Sequence, residues 1–194
     1  MAEIEKKCCF VGHRTIMASE ELINNLTKTI ERLIAEEGVM YFLFGSRSEF
    51  DDLCHSIVTA LKEKYPHIVR VAYTRRSEYA VKAEEKETME QTWASVLKTE
   101  VKLKDYDAEV QSDRVYSAGK ASYVERNREM IDASDFCIFY YNENYAPPQR
   151  KRANRDLSTY QPKSGTRLAY EYAVQKSKKT DKIIINSFVC SETD

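Results

Sequence analysis

Apolar residues in this chain fall into short continuous runs separated by stretches of helical periodicity. The first run, Cys8 to Val11, ends at Gly12-His13-Arg14, after which Leu22, Ile23, Leu26, Ile30, Leu33 and Ile34 recur at the spacing of one helix face. Gly38 closes that helix. Met40 to Phe44 ("MYFLF") reads as a second strand, and Leu53, Cys54, Ile57, Val58 and Leu61 mark a second helix ending at Pro66. "HIVRVAY" (His67 to Tyr73) predicts a third strand. Tyr79, Val81, Met89, Trp93, Val96 and Leu97 then suggest a longer exposed helix. A helix over Tyr123 to Asp132 precedes a fourth strand, "FCIFYY" (Phe136 to Tyr141). Ser164-Gly165-Thr166-Arg167 opens a last helix, and "KIIINSF" (Lys182 to Phe188) closes the pattern.

Strands that are apolar throughout, and not alternating, are buried on both faces. Alternating with helices, they predict an α/β class: a Rossmann-like three-layer sandwich with a mostly parallel sheet of about five strands flanked by helices. At 194 residues the chain is the size of one domain, so a single unit over 1–194 is expected. The polar stretch 142–163 holds three of the four prolines and reads as a mobile loop.

Charge narrows the function classes. With 30 basic and 31 acidic residues the formal net charge is -1, which argues against a nucleic-acid partner; "QRKRANR" reads as a solvated loop. No apolar run approaches the roughly 20 residues of a membrane span, and the N-terminus carries no signal-peptide core, so a soluble cytoplasmic protein is expected. The five cysteines form no CxxC pair and the three histidines are scattered. Reduced structural thiols, no metal site and no cofactor are the expectation.

In an open α/β sheet, ligands bind beyond the C-terminal ends of the strands. The loops predicted there hold Gly12, His13 and Arg14; Gly45, Ser46 and Arg47, with Asp51 beyond; and Ser164, Gly165, Thr166 and Arg167. Glycine admits a ligand close to the backbone, free helix N–H groups point at anions, and guanidiniums grip phosphate oxygens in pairs. Each signal alone also fits a turn or an N-cap. Their convergence on one edge points to a phosphate or nucleotide.

The segments "CCFVGHR" (8–14), "FLFGSRSEFDDLCHSIVTALKEKYPHI" (42–68), "RNREMIDASDFCIFYYN" (126–142) and "SGTRLAYEYAVQKSKK" (164–179) resemble the YpsA-like branch of the SLOG superfamily, Rossmann-like domains related to DprA and LOG proteins. The resemblance spans nearly the whole chain, with residues 75 to 120 matching least. It implies binding of a nucleotide or nucleotide-derived small molecule by the three loops, with Arg126 and Arg128 on the helix before the fourth strand as further candidates. At the second loop this chain departs from relatives, with Ser46 and Arg47 after a single glycine.

Two other functions follow from the same resemblance: a nucleotide-processing N-glycosidase or phosphoribohydrolase, and a DprA-like nucleic-acid binder. The enzyme reading requires a carboxylate near the anomeric carbon. LOG enzymes have a Pro-Gly-Gly turn followed closely by a glutamate, and deoxyribosyltransferases a glutamate three residues after the threonine; here that position is Ala169. Glu171, the nearest acid, lies about 200° around the helix. A ligand sensor is therefore the leading expectation, with catalytic residues unassigned and homo-oligomerisation left open.

Overall fold

The computed structural model describes residues 5–45, 48–75, 106–112, 120–145 and 163–188. The predicted helix over 79–97, nearly all of the 142–163 loop, and Ser46 and Arg47 lie outside them. Among the described residues, six strands and four helices follow in chain order: β1 (Lys6–Gly12), α1 (Glu20–Ala35), β2 (Val39–Phe44), α2 (Glu49–Lys64), β3 (Val69–Arg75), β4 (Ala108–Ser112), α3 (Lys120–Asp132), β5 (Phe136–Tyr140), α4 (Gly165–Ser177) and β6 (Ile183–Asn186).

Local chemistry sets the helix boundaries. Ser19, Ser48 and Ser164 each precede a helix and accept, through the hydroxyl, a backbone N–H three residues on. Such caps satisfy one of the orphan donors at a helix start. Gly38, at φ +71°, takes the left-handed turn that leads from α1 into β2, a conformation costly for other residues.

The sheet order is β4-β3-β2-β1-β5-β6, and every pairing is parallel. Alternate residues of β1, β2 and β5 feed two cores. On one face Cys8, Phe10, Phe42, Phe44, Ile138 and Tyr140 pack with Leu26 and Ile30 of α1 and Phe50 and Val58 of α2. On the other, Cys9, Val11, Leu43, Val71 and Phe139 meet Met130 and Ile131 of α3 and Ala169 and Ala173 of α4. This three-layer arrangement is why β1, β2 and β5 are apolar on both faces. The four cysteines among the described residues are free and buried, and burial pushes the Cys8 and Cys54 thiols up, as expected of structural thiols.

The expected count of about five strands falls short by β4. Its sequence, "AEVQS", has no apolar run because it is an edge strand, with Ala108 to Gln111 exposed. Polar anchoring holds it instead. Asp107 N–H donates to the Arg70 carbonyl at 2.9 Å, while the Asp107 carboxylate accepts from Arg70 N–H at 2.8 Å and from its guanidinium at 3.1 Å. Lys62 completes the cluster at 2.8 Å.

From β1 the chain builds outward to β2, β3 and β4 on one side and later to β5 and β6 on the other. The order reverses between β1 and β5, whose C-terminal ends, Gly12 and Tyr140, lie side by side. In this architecture such a reversal marks the crevice beyond the strand ends where ligands usually bind. Among the described residues no helix is long and apolar enough to cross a membrane.

Candidate functional site

Three glycine loops that look alike in sequence have different surroundings. A Cβ on Gly12 would lie 2.3 Å from the Phe50 ring, and one on Gly45 would lie 2.3 Å from Met130 Sδ and 2.9 Å from Arg126 Nε. Both glycines are occupied by the protein's own packing. At Gly165 an added Cβ meets none of the described residues within 4 Å. Among the described residues, the third loop alone has open space in front of its glycine.

The helix that follows each loop sharpens the contrast. At α2 the loop from β1 folds back over the helix start: Glu49 N–H donates to the Arg14 carbonyl at 2.9 Å, and the Glu49 carboxylate accepts from Ile16 N–H at 3.0 Å. The first turn of α2 also carries Glu49, Asp51 and Asp52. Asp51 is 2 % exposed, and its own N–H is taken by the Ser48 hydroxyl at 3.1 Å. An anion there would meet three carboxylates.

The first turn of α4 has no acidic residue. Ser164 Oγ accepts from Arg167 N–H at 3.1 Å, and the Ser164 carbonyl accepts from Leu168 N–H at 3.1 Å. The N–H groups of Gly165 and Thr166 are thus the remaining donors of the helix start, with no intrahelical acceptor available to them. Two amides without an intrahelical acceptor, at the positive end of a 13-residue helix, are the kind of group that can receive an anion. The Thr166 hydroxyl donates to the Gly12 carbonyl at 2.9 Å, in the interior, and so fixes this helix start against the end of β1 at the crevice.

His13 comes next along the chain and is 1 % exposed. Its Nε2 lies 3.0 Å from the Asn142 N–H and 3.3 Å from the Asn142 carbonyl, joining the loops after β1 and β5. Tyr145 stacks on the ring at 3.9 Å between centroids, at an angle of 17°. Nδ1 is buried and has no hydrogen-bond partner among the described residues. Burial holds the His13 pKa below its ordinary value, so the ring is neutral at neutral pH.

The remaining predicted residues separate. Arg14 is exposed, its carbonyl engaged at α2. Arg126 is 2 % exposed, with its guanidinium near Gly45 and over the Tyr123 ring at 5.3 Å. Arg128 lies on the seam between α3 and α4, paired with Glu125 at 2.9 Å and over the Tyr172 ring at 5.3 Å. Tyr172 stands two helical turns beyond Gly165, so Arg128 belongs to helix packing and not to the start of α4. Asn127 and Met130 face the interior.

Arg167 flanks the open amides. Its Nε donates to Glu171 at 3.0 Å, and Lys163 Nζ donates to the same carboxylate at 2.8 and 2.9 Å. Lys163 and Arg167 together hold the Glu171 carboxyl below its usual range. A permanently ionised, doubly paired carboxylate is poorly suited to donate a proton to a leaving group. Ala169, where a deoxyribosyltransferase would carry its glutamate, is 1 % exposed and packed in the core. Among the described residues no group of three or more His, Cys, Asp or Glu side chains could hold a metal.

Sequence reasoning passed over the aromatic rings around this crevice. Tyr141 stacks on Tyr170 at 4.5 Å, Phe139 meets Tyr170 edge-on at 5.2 Å, and Tyr145 covers His13. The only sequence signal is the density of tyrosine, 13 in the chain. Tyrosine that packs on a sheet and tyrosine that lines a crevice read identically.

The class defined by fold and topology is an all-parallel, Rossmann-like α/β domain with an open helix N-terminus at its strand-order reversal. No family model and no curated protein matches the chain.

Proposed function

We propose that the protein binds a nucleotide or nucleotide-derived small molecule, with an anionic group of that ligand at the start of α4 and its remainder in the crevice between β1 and β5. The observation that carries this reading is the open α4 terminus. Among the described residues, two N–H donors, an unobstructed glycine and a carboxylate-free first turn occur together there and at neither of the other two loops. The buried, partnerless Nδ1 of His13 is a second, independent pointer to a missing acceptor. The half-buried, stacked Tyr141 and Tyr170 pair offers aromatic surface for a base. The YpsA-like SLOG resemblance supports the same ligand class and a sensing role.

The test is a thermal-shift panel of nucleotides, nucleosides, cyclic nucleotides and ADP-ribose derivatives. A ligand at 100 times its dissociation constant stabilises by about 2.7 kcal/mol. For a domain of this size that raises Tm by roughly 5 to 10 °C. A panel that shifts nothing refutes the proposal. Recovery of the bound compound after incubation then separates sensing from turnover: unchanged ligand fits a sensor, and a released base makes the protein an N-glycosidase.

A further inference from the structure

We propose that His13 is a proton-linked positioning residue of this anion site: its imidazole carries the proton on Nδ1, presents it to the ligand's anionic group, and couples anion binding to proton uptake. The inference rests on the reading of the α4 terminus as an anion site.

The tautomer follows from two distances. The shorter contact of Nε2, at 3.0 Å, is with a donor, the Asn142 N–H, so Nε2 in the neutral ring is the unprotonated acceptor and Nδ1 bears the hydrogen. That N–H is buried without an acceptor. His13 directly follows Gly12, whose carbonyl accepts from the Thr166 hydroxyl at 2.9 Å, so the histidine adjoins the start of α4. A buried donor lacking an acceptor is costly, and an anion oxygen brought to the crevice removes that cost.

The longer contact supplies the coupling. When Nε2 is protonated it turns from the Asn142 N–H to the Asn142 carbonyl, 3.3 Å away, so either protonation state finds a partner on the same residue. Nδ1–H persists in both states. What changes is charge: an imidazolium attracts the anion more strongly than a neutral ring, and by linkage the anion raises the affinity of the ring for its proton.

The titratable neighbours do not supply that charge themselves. From β5 and its following loop they are the phenols of Tyr140, Tyr141 and Tyr145, at 6.3, 6.0 and 3.9 Å between ring centroids, and the carboxylate of Glu143, which acts on Arg167. The start of α2 carries Glu49, engaged by Ile16 N–H, and buried Asp51, and the start of α4 carries Arg167, paired with Glu171. Arg14 beside it in sequence is exposed. Burial alone lowers the His13 pKa, opposed only by the Asn142 carbonyl. The empty protein therefore keeps the ring neutral, and an arriving anion reverses that balance.

Sulfate is a suitable probe because it does not titrate near neutrality. Long-range nitrogen–proton NMR of the imidazoles, with three histidines to resolve, reads tautomer and pKa in sulfate and in chloride at matched ionic strength. The expected results are an Nδ1–H tautomer for His13 at neutral pH and a rise of about one pKa unit or more at saturating sulfate. Sulfate affinity then increases up to about tenfold as pH falls through the interval between the two pKa values. His13→Gln should abolish that pH dependence.

An Nε2–H tautomer overturns the proposal without any ligand. If sulfate moves the Gly165 and Thr166 amide signals but leaves the His13 pKa unchanged, the proposal falls and the anion site stands. If sulfate moves neither the amides nor the ring, both fall.

Discussion

Replacing Thr166 with valine tests whether the start of α4 is fastened to β1 by one hydrogen bond. Valine keeps the β-branched shape and volume but removes the hydroxyl that donates to the Gly12 carbonyl at 2.9 Å. Thr166 is 7 % exposed, so water does not readily replace the lost donor. A hydrogen bond of this kind contributes a net 0.5–1.5 kcal/mol, and a buried carbonyl left without it costs about 1–3 kcal/mol. Gly12 still has its strand neighbours, so a loss of about 1–2 kcal/mol is expected. In urea this appears as a lower midpoint at unchanged m. On heating it lowers Tm by roughly 2–8 °C. Thr166→Ser, which restores the hydroxyl, should recover most of the loss. A valine variant within about 0.3 kcal/mol of wild type, or a serine variant as unstable as valine, would refute the reasoning.

Gly12→Ala forces a Cβ to 2.3 Å from the Phe50 ring, so it should destabilise by about 1–3 kcal/mol; Phe50→Leu in the same chain should recover part of it, a non-additivity measured by a double-mutant cycle. Gly165→Ala meets nothing, so it should leave stability within about 1 kcal/mol of wild type while weakening anion binding, read by titration calorimetry. Glu171→Gln frees Lys163 and Arg167 beside the open amides, and anions should then bind roughly twofold to fivefold tighter at low salt, the gain shrinking as ionic strength rises. Asp107, whose carboxyl Arg70 and Lys62 hold well below its usual range despite partial burial, contributes stability that is present above the unfolded aspartate pKa of about 3.9 and lost as pH falls through its lower folded value. Asp107→Asn should remove about 1 kcal/mol at neutral pH and flatten acid unfolding, followed by circular dichroism.

The sequence made the architecture legible wherever burial on both faces left an unbroken apolar run. Cys8 to Val11, Met40 to Phe44 and Phe136 to Tyr141 reveal β1, β2 and β5 because helices cover both sides. β4 escaped because an edge strand is held by hydrogen bonds and by Asp107, neither of which leaves a hydrophobic signature. The site was legible only in outline. Glycine in a strand-end loop reports that something comes close to the backbone, but not whether that something is a ligand or Phe50.

Resolving that ambiguity changes which residues carry the chemistry. Gly12 and Gly45, equal candidates by sequence, are consumed by Phe50, Met130 and Arg126, and the α2 terminus is closed by Arg14 and lined with acids. Gly165 remains open, and Thr166 brings it to the β1–β5 reversal. The anion-binding potential therefore concentrates at one helix start and one histidine, and does not spread over three loops. This concentration has a consequence for charge. With Glu171 pairing both Lys163 and Arg167, the α4 terminus is served mainly by neutral amides, so a charge on His13 would weigh heavily in anion affinity. If the proposed coupling of His13 to an anion at this terminus holds, that affinity rises as the solution becomes more acidic.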